Sequence, residues 1–386
     1  MKRVLPAIVL SQFFCTSLWF AVNAVMPDIA KQFHLEPSYV VHLTSAVQFG
    51  FIAGTLLFAI LAIADRFSPS LVFCVSAVLA AAANLAMVAE GISVPQLLCL
   101  RFLTGFFLAG IYPVGMKIAS DHYREGLGQS LGLLVGALVL GTSFPHFLQV
   151  ITADLPWKYL VFATSVLSLV GGLCLFLLVP DGPGRQPVQR FKFGAFLAGF
   201  RNKSFRAAAL GYFGHMWELY AFWVFLPVML AAYKQYYPQA GFNISLLSFI
   251  IIAGGTVACI LGGMISATAG VKRTATAALF LSCTCCIVSP FFLFISSTPV
   301  FIIFLIVWGM VVIADSPLFS TLVAQNAPVS SKGSSLTIVT CIGFAITIAS
   351  IQLVNVLRDT IGSRYVYMLL AIGPLLGLMG KRRSGI

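Results

Sequence analysis

Long apolar runs dominate the chain, broken at intervals by charge, proline or glycine. A helix that crosses a bilayer needs roughly 20 apolar residues. The runs predict six spans in the first half, near 4–29, 38–64, 69–89, 94–119, 126–150 and 157–179. Six more follow near 205–232, 242–269, 272–295, 298–324, 331–356 and 363–380. Between the halves, Pro180-Asp181-Gly182-Pro183-Gly184-Arg185 leads into Arg190, Lys192, Arg201, Lys203 and Arg206, the one long hydrophilic connection. It reads as a cytoplasmic linker whose prolines and glycines deny a continuous helix, with Phe191 to Phe200 lying as a short amphipathic helix at the interface. The pattern predicts an all-α membrane protein of twelve transmembrane helices. Its expected divisions are a six-helix bundle over 1–180, a linker over 181–204 and a second six-helix bundle over 205–386.

Composition removes the soluble alternative. Of 386 residues, 60% are hydrophobic and only 9% charged, and mean hydropathy is +1.00, more apolar surface than a soluble core could hide. The net charge of +12 is scattered over short inter-helix segments rather than gathered on one aromatic-laced face, so it argues for topology and against nucleic-acid binding. With the N-terminus inside, about 17 of the 23 basic residues fall on the cytoplasmic side; five (Lys31, Lys158, Lys234, Arg358, Arg364) face out and Arg101 lies within a span. That bias predicts an inner-membrane protein with both termini cytoplasmic. The start, Met1-Lys2-Arg3 before an apolar run, resembles a signal peptide, but the run extends to Met26-Pro27, carries Trp19 and Phe20, and precedes further spans. It is expected to be the first span. The nine cysteines sit mostly inside apolar runs, which predicts thiols acting as small hydrophobes; Cys283 and Cys286 form a C-x-x-C with no matching metal-ligand pair.

The halves echo each other. Gly105, Pro113 and Gly128-Gln129-Ser130-Leu131 recur as Gly309, Pro317 and Gly333-Ser334-Ser335-Leu336, at an offset of 204 growing to 205. Ala53-Gly54-Thr55 recurs as Gly254-Gly255-Thr256. Repeats of this kind build many transporter folds. Six plus six helices, a basic central linker and Asp65-Arg66 after the second span together resemble the major facilitator superfamily over essentially the whole chain. That family's loop signature, G-x-x-x-D-R-x-G-R-R, keeps only its Asp-Arg core here: Leu61 replaces the first glycine, and Ser68, Pro69 and Ser70 replace the glycine and basic pair. Arg101-Phe-Leu-Thr-Gly105 is similar to the family's R-x-x-x-G pattern in span four. The antiporter signature of span five is poorly met, because Phe144 precedes Pro145 where a glycine is usual. The resemblance implies that spans one, four, seven and ten line a central cavity and that Asp65 and Arg66 belong to a cytoplasmic gate.

Ionisable groups inside a span are costly in hydrocarbon and so are functional candidates. Here they are Arg101 in span four, His146 in span five, His215 and Glu218 in span seven and Asp315 in span ten. His215 and Glu218 share a helical face at i,i+3, and either could bind a proton. Asp315 sits beside Pro317, which frees a helix carbonyl and invites a bend. Arg101, permanently charged, requires a carboxylate, helix carbonyls or an anionic solute. Trp19, Asn23, Tyr112, Trp217 and Tyr220 are cavity-lining candidates, with packing and interfacial anchoring as the alternatives.

No phosphate-binding loop, H-E-x-x-H or nucleophile, base and orienter set is present, so an enzyme or ATP-driven pump is not expected. The reading is a secondary transporter moving a small polar or ionic organic solute by alternating access with proton coupling. A sensor or assembly factor of the same architecture and a drug/proton antiporter are the alternatives. Expected partners are the solute, protons and the lipid bilayer, with no cofactor, metal or nucleic acid, and the chain is expected to work as a monomer.

Overall fold

In a computed structural model, residues 4–123, 127–183, 191, 194, 199–328 and 332–382 are described. Most of the amphipathic segment expected at Phe191 to Phe200 and most of the basic linker lie outside these residues. Among the described residues, ten helices are long and apolar enough to cross a membrane, and two shorter apolar helices, Val4–Thr16 and Val366–Gly380, stand first and last. Together they make twelve spans, in the order that the apolar runs predict. The chain divides into two compact units, Met1–Phe191 and Lys192–Ile386.

Several span starts have a local cause. Ser93 and Gln96 form a capping box at the fourth, where the Ser93 amide donates to Gln96 Oε1 at 2.8 Å. Asn202 and Asn243 accept from backbone amides at the starts of spans seven and eight. Pro69, Pro95 and Pro299 stand in the first turns of spans three, four and ten, where a missing amide hydrogen costs nothing.

Among the described residues, three spans are discontinuous. The first runs as Val4–Thr16, Ala21–Ala24 and Met26–Phe33; the fourth as Val94–Leu108 and Tyr112–His122; the tenth as Thr298–Ala314 and Ser316–Asn326. Pro113 and Pro317 stand at the second residue after the breaks in spans four and ten, as their missing amide hydrogens require.

The same packing scheme is built twice. In the first unit, span two packs on four, span three on four and six, and span one on five and six. In the second, span eight packs on ten, nine on ten and twelve, and seven on eleven and twelve. Small residues make the closest seams possible, because lipid supplies no hydrophobic drive between helices and backbones must approach to gain dispersion and polar contact. A Cβ on Gly105 would collide with the Val47 carbonyl, and one on Gly309 would meet the Ile251 carbonyl at 2.8 Å. Polar clamps add to this: Asn84 on span three donates to Val161 O and Thr164 Oγ1 at 3.2 Å and Ser165 Oγ at 3.0 Å on span six.

Candidate functional site

In the first unit the break at residues 17–20 leaves carbonyls without helical partners, and Arg101 takes two of them. Its Nη1 donates to Leu18 O at 3.1 Å and its Nη2 to Trp19 O at 2.6 Å, and the side chain is fully buried. Charge-assisted bonds of this kind are about twice as strong as neutral ones. The planar guanidinium reaches two adjacent carbonyls at once, which a lysine ammonium cannot. Around the same break, the Trp19 ring lies 5.0 Å from Phe51, and Asn23 Nδ2 donates to Thr44 Oγ1 at 2.9 Å.

The second unit gathers the other buried ionisable groups. His215, Glu218 and Asp315 have no solvent exposure. His215 Nδ1 approaches Asp315 Oδ1 at 2.7 Å, off the line of a hydrogen bond, so the contact is an ion-pair approach and not an aligned donor and acceptor. Asp315 occupies the junction between the two halves of span ten, and its backbone carbonyl accepts from Phe319 N at 2.8 Å. Glu218, one turn beyond His215, turns to span nine: Ser282 Oγ donates to Glu218 Oε2 at 2.7 Å and Cys286 Sγ to the same oxygen at 3.3 Å. Glu218 Oε1, both Asp315 oxygens and His215 Nε2 have no hydrogen-bond partner among the described residues. Such groups in hydrocarbon demand a proton, a cation or a solute to balance them.

The remaining candidates are spread more widely. Asp65 pairs with Lys117 Nζ at 2.9 Å, and Lys117 reaches Asp121 at 3.7 Å, while Arg66 is exposed. Trp217 is half-buried and donates through Nε1 to Leu369 O on span twelve at 2.9 Å. Tyr220 is buried against Trp223 and Phe344, with ring centroids 5.2 and 5.3 Å away, and Tyr112 is half-buried. His146 is buried, and its Nε2 has no partner among the described residues. No described group of three or more His, Cys, Asp or Glu could hold a metal ion. The thiol of the C-x-x-C that matters is Cys286, through its contact with Glu218.

Sequence reasoning did not single out Ser282, Lys117 or Gln48, and it read Cys286 only as part of a C-x-x-C. Ser282 and Cys286 at i,i+4 on one face of an apolar helix, and a carboxamide in the middle of span two, were the available signals.

Two pseudo-equivalent helical units with discontinuous spans and buried ionisable groups define a polytopic membrane protein of a transporter fold. The sequence matches the family described as Major Facilitator Superfamily over residues 8–351, and the chain belongs to that superfamily. No curated protein sequence matches it. Among solved structures it is similar to the human organic anion transporter MFSD10 (TETRAN), with TM-score 0.78, 14% identity, and 98% of this chain and 99% of that one covered. It is also similar to the nucleoside transporter NupG, with TM-score 0.74, 12% identity and 99% of each chain covered. The proton:xylose symporter XylE, bound to 6-bromo-6-deoxy-D-glucose, gives TM-score 0.74 and 12% identity over 99% of this chain and 96% of that one.

Proposed function

We propose that the protein is a secondary transporter that moves a small polar or ionic organic solute across the inner membrane by alternating access, driven by protons. The observation that carries this reading is the cluster on spans seven and ten. Two carboxyl groups and an imidazole are held without solvent and with unsatisfied oxygens, an arrangement that packing alone does not need. Gaining or losing a proton changes which partners Glu218 and the His215–Asp315 pair can keep, so protonation is tied to helix arrangement. In this reading Asp65 and Arg66 serve the cytoplasmic gate, Lys117 holding Asp65 in place. The three structural relatives are titled as transporters of an organic anion, a nucleoside and, with protons, xylose, which supports the activity class.

The test is flux in proteoliposomes under an imposed pH gradient. Glu218→Gln is expected to abolish gradient-driven uptake and to spare solute counterflow; unchanged driven uptake would sink the assignment. A sensor or assembly factor of the same fold is the second reading. It is favoured by one observation: Arg101, Glu218 and Asp315 are all fully buried against protein groups. A folded, reconstituted protein with no flux of any solute would select it.

A further inference from the structure

The first unit holds a second polar cluster, separate from the ionisable one. Thr44, Gln48 and Phe51 follow one another on a single face of span two at i,i+4 and i,i+7. Opposite them, Trp19 and Asn23 are one turn apart on the broken first span. Asn23 donates to Thr44 and the Trp19 ring meets Phe51, contacts made one turn to either side of Gln48 along span two. Gln48 is fully buried, and neither its Nε2 nor its Oε1 has a partner among the described residues. Asn23 Oδ1 and Arg101 Nε are likewise buried and unpartnered there.

A buried carboxamide unpaired at both ends loses its hydration and gains nothing in return, so a packed core selects against it. Its presence beside a helix break fits a group that waits for a ligand. The open atoms define that ligand's chemistry. Gln48 Oε1 and Asn23 Oδ1 accept; Gln48 Nε2 and Arg101 Nε donate. The acceptors disfavour a carboxylate or phosphate, and the guanidinium disfavours a cation. The Arg101 fork that could clasp an anion is already committed to Leu18 and Trp19 carbonyls. Hydroxyl groups, which donate and accept together, satisfy every open atom.

We infer that Asn23, Gln48 and Arg101 form the recognition site for a neutral solute rich in hydroxyl groups, and that this chain does not carry an organic ion. The inference rests on the transporter reading above and narrows its solute class.

Thermal shift of the purified full-length protein with D-xylose, uridine, succinate and choline tests it. Xylose or uridine is expected to raise the unfolding midpoint at millimolar concentration, with no shift from succinate or choline. Gln48→Leu is expected to weaken the neutral-probe effect at least tenfold while the unliganded midpoint holds or rises. Asn23→Leu gives the same loss should the first variant not fold. A shift from succinate or choline, an undiminished shift in Gln48→Leu, or no shift from either neutral probe overturns the inference. Binding of xylose or uridine without counterflow of the same probe in proteoliposomes would instead sink the transporter reading and leave the site standing.

Discussion

At Arg101 a permanent charge and two orphaned carbonyls satisfy one another. The sequence announced the need, because a guanidinium inside a span must find oxygen atoms, and helix carbonyls were one of the options. The location of those carbonyls was hidden. Leu18-Trp19-Phe20 contains no proline or glycine, so the break in the first span is a tertiary effect in which a residue some eighty positions away competes for the helix carbonyls. Arg101→Lys keeps the charge but loses the fork; Arg101→Met also strands both carbonyls, at about 1–3 kcal/mol for each unsatisfied group. The expected order of thermal midpoints in one detergent is wild type, then Lys, then Met, and equal midpoints would show that the two bonds carry no stability. The second unit divides the same way. His215 and Glu218 were legible as one helical face, but their partners come from spans nine and ten, and periodicity within a single helix says nothing about which neighbour a face will meet.

Between elements, the informative positions are glycines that recur in both halves. Gly105 and Gly309 were readable as a repeat, and the structure gives them one task, close approach of span four to two and of span ten to eight. The breaks in spans four and ten were legible for a local reason, the prolines at 113 and 317. Not every helical glycine is a seam: a Cβ on Gly263, within span eight, would meet nothing within 4 Å. The two sites therefore predict opposite signs. Gly105→Ala drives a methyl into the Val47 backbone, which cannot swing aside as a side chain can, and should cost about 1–3 kcal/mol. Gly263→Ala meets no obstacle and removes helix-disfavouring backbone freedom, a gain of roughly 0.5–1 kcal/mol. Thermal unfolding of the two purified variants beside wild type checks both; a loss in both would mean that helix seams are not what these glycines distinguish.

For the whole molecule, the count of spans decides which side each end occupies, and the count is most exposed to error at the first span. Val4–Thr16 has 13 residues. At 1.5 Å per residue it covers about 20 Å, short of the roughly 30 Å hydrocarbon core. It crosses only by continuing through its broken pieces to Phe33, which Arg101 makes possible by satisfying the carbonyls at the break. With that span complete the number is even, so both ends share one side, and the distribution of Lys and Arg predicts that this side is the cytoplasm. Alkaline phosphatase fused after Ile386 should be inactive and a fluorescent protein there bright; phosphatase inserted after Pro238, between spans seven and eight, should be active, and after Gly270, between eight and nine, inactive. An active C-terminal phosphatase beside an active one at 238 would mean that a span after Pro238 fails to cross. Inactivity at 238 with activity at 270 would reverse every loop and point to a first span that never enters the bilayer, leaving Arg101 without the carbonyls that now hold it.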